Sequence, residues 1–307
     1  MNVSTRILAW LAGWFLTTIA AHGDSATNHL VSALELRHEG DLRGALVEVT
    51  MAIELDPQYP GAYYFRGMTE YRLARTTNDL NITLDTALAD FDRAIHRNPG
   101  FADAWFQRAT VFQSMSNLPA AQADFQKTMD LKPEPLLLAA AGYRLGLLKQ
   151  KAGDTNSARQ LFLESYVTRG NFLMDTGHTN RALDSFKAAI ALDPNSARSY
   201  FLRGIVSENL GNWPEALAAD NQAIARQPNF ANAFNHRSIV KGKTRDWDGA
   251  LADVNRAIVL NSNEPSFYQN RAKIKETTGD VYGALTDQNT ASRLKENAEE
   301  RREEPGF

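Results

Sequence analysis

Arg169, Arg203, Arg237 and Arg271 stand 34 residues apart, and Asp90 and Asp124, like Asp253 and Asp287, keep the same interval. With Arg66 and Arg108 they form a recurring set of guanidiniums and carboxylates. These residue types make bidentate ion pairs or, unpaired, grip an anion. Asp184 and Asp220 stand one residue out of phase with the other aspartates. An arginine stem can pack along apolar surface while its head reaches a carboxylate on the next element. The set therefore reads as a structural ion-pair ladder of Arg66, Arg108, Arg203, Arg237 and Arg271 with Asp90, Asp124, Asp253 and Asp287. The alternative is an arginine track for an acidic ligand.

Other chemistry is scarce. The chain has no cysteine, which excludes disulfides, thiolate metal sites and cysteine nucleophiles. Its six histidines, at 22, 29, 38, 96, 178 and 236, form no pair one helical turn apart, so no metal site is expected. The glycines form no phosphate-cradling loop, and carboxylates are too evenly spread to mark a general acid and base. Neither catalytic residues nor a cofactor are expected. A formal charge of only −3 excludes a basic field for nucleic acid.

The elements that carry these residues are set by one period. Pro99 to Pro133 and Pro194 to Pro228 each span 34 residues, the signature of a stacked helix–turn–helix unit. Counting Ala197 as position 1, Tyr200 is position 4, Gly204 position 8, Gly211 position 15, Ala216 position 20, Ala223 position 27 and Pro228 position 32. Small residues at 8 and 20 let helices A and B of one unit approach closely, and bulky residues at 4 and 24 fill the space beside them. Gly followed by Asp or Asn near position 15 (Gly40-Asp41, Gly153-Asp154, Gly211-Asn212, Gly279-Asp280) ends helix A and caps helix B. Proline at 32 stops helix B.

This spacing resembles that of the tetratricopeptide repeat family, over about residues 26–298. The resemblance implies an all-α, right-handed superhelical solenoid of stacked αα-hairpins, about eight repeats: 26–59, 60–101, 102–135, 139–162, 163–196, 197–230, 231–264 and 265–298. Two irregularities stand out. Pro57 to Pro99 spans 42 residues, and the surplus of eight falls near 76–83, predicting a protruding or extended turn between helices A and B. Gly146 to Gly170 spans only 24; with no breaker but Gly170 in the run 157–177, one long helix is predicted to serve both the shortened repeat 139–162 and the repeat 163–196 fused to it. The array thus divides into an N-terminal block, 26–135, and a C-terminal block, 136–298, with a charged tail at 299–307.

The resemblance also implies that positions 2, 5, 9, 12 and 13 of helix A line a concave groove. Position 5 carries Tyr64, Phe106, Tyr143, Val167, Phe201, Asn235 and Gln269, an aromatic stretch grading into amides. Such a surface suits a peptide or helical segment of a protein partner. The Lys/Asn clamp that some members of the family use for a chaperone's C-terminal carboxylates has no counterpart in the first two repeats. The reading is a non-catalytic adaptor. Its rivals are a recruiting module of an enzyme and an oligomeric structural protein.

At the N-terminus, Arg6 precedes an apolar run over 7–21 and then small residues. That order reads as a secretory signal peptide, 1–23, cleaved after Gly23; an uncleaved anchor formed by 7–21 is the alternative. A periplasmic or secreted location and clients in envelope or secretion-related assembly follow as expectations. Without residues 1–23 the chain carries 32 basic and 36 acidic side chains, a charge of −4.

Overall fold

The computed structural model of the protein describes residues 24–77 and 81–303. Every regular element among them is an α-helix: α1 (Asp24–Glu39), α2 (Leu42–Leu55), α3 (Pro60–Thr76), α4 (Leu84–Arg97), α5 (Ala102–Ser114), α6 (Leu118–Asp130), α7 (Pro135–Lys151), α8 (Thr155–Asp175), α9 (Thr179–Leu192), α10 (Ala197–Asn209), α11 (Trp213–Arg226), α12 (Ala231–Lys243), α13 (Trp247–Leu260), α14 (Pro265–Thr277) and α15 (Val281–Glu303). None of these helices is long and apolar enough to cross a membrane. The signal segment lies outside the described residues.

The helices pair as αα-hairpins, and the pairing follows from the turn chemistry. Gly40, Gly211 and Gly279 take φ of +92°, +72° and +92°, a left-handed conformation that costs a residue with a Cβ about 1–2 kcal/mol. The next residue then caps helix B: Asp41 Oδ1 accepts from the Gly44 amide at 2.9 Å and Asp280 Oδ1 from the Gly283 amide at 2.9 Å. Where the turn lacks glycine, Ser116 and Arg245 bear the positive φ themselves. At the other end, the residue before the stop proline is extended, as at Asn98 with φ −138° and ψ 90°. Arginines then tie successive hairpins at this joint. Arg97 Nε donates to the Pro57 carbonyl at 2.8 Å with its guanidinium 4.2 Å from the Tyr63 ring centre, and Arg226 meets Pro194 and Tyr200 in the same way.

The chain forms two compact units, one ending at Ala158 and one beginning at Arg159. The first holds α1–α7 and the start of α8 around Val49, Tyr64, Phe91, Phe101 and Val111. The second is built around Phe186, Leu202 and Val206, then Val254, Phe267 and Ile274. In both, the alanines at position 20 (Ala45, Ala87, Ala121, Ala182, Ala216, Ala250) are fully buried, because any larger side chain would separate the two helices of a hairpin.

Two sequence expectations are modified. The eight surplus residues do not all protrude: α3 has 17 residues against 13 in α5, so half of the surplus lengthens helix A by about a turn. The remainder lengthens the connection at 77–83, of which 78–80 lie outside the described residues. The last helix continues to Glu303, taking in the first residues assigned to the tail. Over the run without breakers the chain is one helix of 21 residues, α8.

Candidate functional site

In the first compact unit, α1, α3 and α5 line a groove of about 370 Å³. Its walls are the Met68 thioether and the Tyr71 ring, with Gln107 and three arginines, Arg37, Arg72 and Arg75. Arg37 reaches only the Met68 sulfur, at 3.8 and 3.9 Å, a weak acceptor. Burial holds its guanidinium below the usual range, and the neighbouring Arg72 acts in the same direction. Arg75 lies 5.5 Å from the Tyr71 ring centre and donates to its hydroxyl, which in turn meets Ser114 Oγ at 2.9 Å. None of the three has a carboxylate partner among the described residues. The groove combines polarisable apolar walls with unneutralised guanidiniums, a surface for a segment bearing both acidic and apolar side chains.

The residues expected to line the groove are distributed differently. Tyr64 is buried and is no free anchor: the Phe101 ring, at the entry to α5, covers it at 4.9 Å, with Phe65 and Phe91 beside it. Phe201 is likewise half-covered by Phe230 at 5.0 Å, the equivalent residue before α12. Phe106 packs edge-on against Phe125 at 5.4 Å and is half-buried. Asn235 accepts from Asn270 Nδ2 at 2.9 Å, an amide pair between adjacent repeats. Tyr143 and Gln269 are exposed. In the unit that holds the groove, the side chains that line it come one to two turns later on helix A, at Met68, Tyr71 and Arg72.

The ladder stands in four rungs. Arg108 donates to Asp124 through Nε and Nη2 at 2.7 and 2.8 Å, and through Nη1 to Asp92 at 2.7 Å. Arg237 and Arg271 grip Asp253 and Asp287 by the same fork, and Arg66 grips Asp90. Lys241 and Lys275 add a second cation to the last two carboxylates at 2.8 and 3.0 Å. Burial alone would raise Asp287, but these bonds hold it below the usual carboxylate range. Arg203 is a correction. Position 23 of its unit is Ala219, Asp220 is turned elsewhere, and Arg203 Nε is buried without a partner. Arg169 donates to the Ser185 hydroxyl at 3.1 Å and lies 5.1 Å from the Tyr166 ring centre, with no carboxylate partner among the described residues.

Over α8–α11, half-helix, capped turn, helix and stop thus recur with the same small residues buried and the same arginine on helix A. Residues 167–230, within that stretch, match the model of the tetratricopeptide repeat family. The match supports, for those residues, the family read from the spacing. Among curated relatives, the tetratricopeptide repeat and J domain-containing co-chaperone DNJ1 of Fusarium oxysporum f. sp. lycopersici is 37% identical over 73 residues, 24% of this chain and 13% of that protein. Its namesake from Cryptococcus neoformans var. grubii serotype A is 27% identical over 160 residues, 52% of this chain and 27% of that protein. The matches thus span about an eighth and about a quarter of those relatives. Among solved structures, MamA is 19% identical with a TM-score of 0.40, over 62% of this chain and 96% of that one.

Within these helical repeats one polar centre escapes sequence reasoning. His236 is buried, its Nδ1 2.8 Å from Asp220 Oδ2 and its Nε2 3.2 Å from Glu208 Oε2. Burial pushes the imidazole down, yet the two carboxylates outweigh it and bring it up to about 9. Asp220 is raised by its own burial, and Glu208 is lowered by His236. The signal was present in the sequence: Asp220 occupies position 24, where other units place Phe91, Phe125 and Phe186. In the first compact unit, Glu70 is pushed up to about 7 by burial and by the nearby Asp90 charge.

Proposed function

We propose that the protein is a non-catalytic adaptor, exported after removal of residues 1–23, that holds a segment of a partner protein against the helix A side of its first compact unit. The observation that carries the reading is the groove between α1, α3 and α5, where Arg37, Arg72 and Arg75 stand without carboxylates beside Met68 and Tyr71. Guanidiniums held near aromatic and thioether groups grip acidic side chains of an incoming segment, while the apolar walls take its hydrophobic ones. Stacked hairpins supply the stiff scaffold on which these groups are presented. The run of positive, apolar and small residues at the N-terminus supports export, and with it a place in envelope or secretion-related assembly.

The test is site-specific photocrosslinking in the native host, with the photoreactive residue at Gln107 and mass spectrometry of the product. A partner crosslinked through an acid-rich stretch is expected, with the product lost in Arg72→Glu/Arg75→Glu while helix content is unchanged. Both arginines are exposed, so the charge reversal leaves the fold intact. A crosslink that survives the double variant overturns the assignment. N-terminal sequencing of the exported protein tests the processing site, with Asp24 as the expected first residue.

A further inference from the structure

In three rungs the ladder arginine is bracketed by oxygen acceptors sixteen residues before and sixteen after it: Arg108 by Asp92 and Asp124, Arg237 by Asn221 and Asp253, Arg271 by Asn255 and Asp287. The register is structural. It places position 25 of one helix B and position 23 of the next on either side of the arginine on the intervening helix A. At Arg203 the same bracket falls on Lys187 of α9 and Ala219 of α11. One acceptor has become a methyl group and the other a cation.

The consequences are visible around Arg203. Its Nε is buried without a hydrogen bond, and its Nη groups, also without one, are not among the buried orphan atoms. The guanidinium stacks 5.2 Å from the Tyr200 ring centre, as its counterparts do over Trp105, Phe234 and Tyr268. It is therefore oriented as in the paired rungs but has no carboxylate to grip. Lys187 is exposed and makes no ion pair or hydrogen bond among the described residues. Two cations brought to a contact register repel each other unless an anion lies between them.

We propose that Arg203 and Lys187 form a binding site for a carboxylate, supplied by an Asp or Glu side chain of a partner protein. A carboxylate is the group that matches. In the paired rungs the equivalent guanidinium holds one on its Nε and Nη2 at 2.6 to 2.8 Å and, at Arg108, a second on Nη1 at 2.7 Å, and the two Nη groups of a stacked guanidinium present a planar edge of the same chemistry. The partner's oxygens meet the solvent-facing Nη edge of Arg203, and Lys187 Nζ closes the other side. This surface belongs to the second compact unit and does not rest on the groove of the first.

The experiment is NMR of the arginine Nε–Hε groups in the full chain, titrated with N-acetyl tetraglutamate amide and, separately, with inorganic phosphate. Burial of Arg203 Nε slows its exchange with water, which makes its resonance observable. The peptide is expected to shift the Arg203 signal saturably. Lys187→Glu should weaken that response at least tenfold, and Arg72→Glu in the groove should leave it unchanged. Ala219→Asp is expected to move the Arg203 signal towards that of Arg237 before any peptide is added, and to abolish the response. Lys187 is exposed, so its reversal leaves the fold in place. No saturable shift, an undiminished shift in Lys187→Glu, or a response to phosphate but not to the peptide overturns the proposal.

Discussion

At the scale of single residues, a displacement of one position accounts for both unusual features of the second compact unit. Moving the helix B carboxylate from position 23 to position 24 withdraws it from Arg203 and delivers Asp220 to His236 of the following repeat. The imidazole so gained lies near 9 in the folded state, above its ordinary value of about 6.5. A group raised on folding stabilises fully below its unfolded value, and the contribution fades as pH rises through the folded one. His236→Gln is therefore expected to melt well below the native protein at pH 6, by about 1–3 kcal/mol, and the gap should narrow towards pH 10. Thermal denaturation followed by circular dichroism across that range is the check; a gap independent of pH would show that the imidazole is uncharged in the fold.

At the scale of elements, helix boundaries were legible because a few residues have only one use. Glycine at positive φ, an Asp or Asn cap and a stop proline leave the chain little choice, and the long α8 follows from the absence of such a break before Gly177, whose φ is +76°. The four paired rungs were legible for a similar reason, since Arg and Asp recur at a fixed offset. Two of the side chains at position 5, Tyr64 and Phe201, were misread, because their exposure depends on a residue 37 and 29 positions away. Phe101 covers Tyr64 and Phe230 covers Phe201, and the covering ring lies just before the next helix A. The period does put Asp220 where other units have an aromatic ring, but does not reveal the His236 that it meets in the next repeat. The effect of Asp220 on hairpin packing is testable. A Cβ on Gly204 would stand 2.7 Å from Asp220 Oδ1, whereas the next repeat has Ser238 at the same position and Val254 in place of the aspartate. Gly204→Ala is expected to cost about 1–3 kcal/mol, and substantially less in an Asp220→Val background. Equal costs in both backgrounds, by denaturant titration, would place the obstruction elsewhere.

At the scale of the whole molecule, each compact unit has its own apolar core and its own cationic surface. The first has its own aromatic core and the arginine groove, and the second has two apolar clusters, the His236 centre and the Arg203–Lys187 pair. In stacked repeats stability is approximately a sum of unit and nearest-neighbour terms, so each unit, cut at the division between Ala158 and Arg159, keeps the terms internal to it. Arg159 is anchored on its own side by the Leu192 carbonyl at 2.8 Å, which steadies the new start of α8. Fragments 24–158 and 159–303 are therefore expected to keep helical circular dichroism and to melt cooperatively when made separately. Partner capture should remain with the first, and the tetraglutamate response of Arg203 with the second. Loss of helix content in either fragment would mean that α8, running through the division as one helix, carries stability that neither unit holds alone.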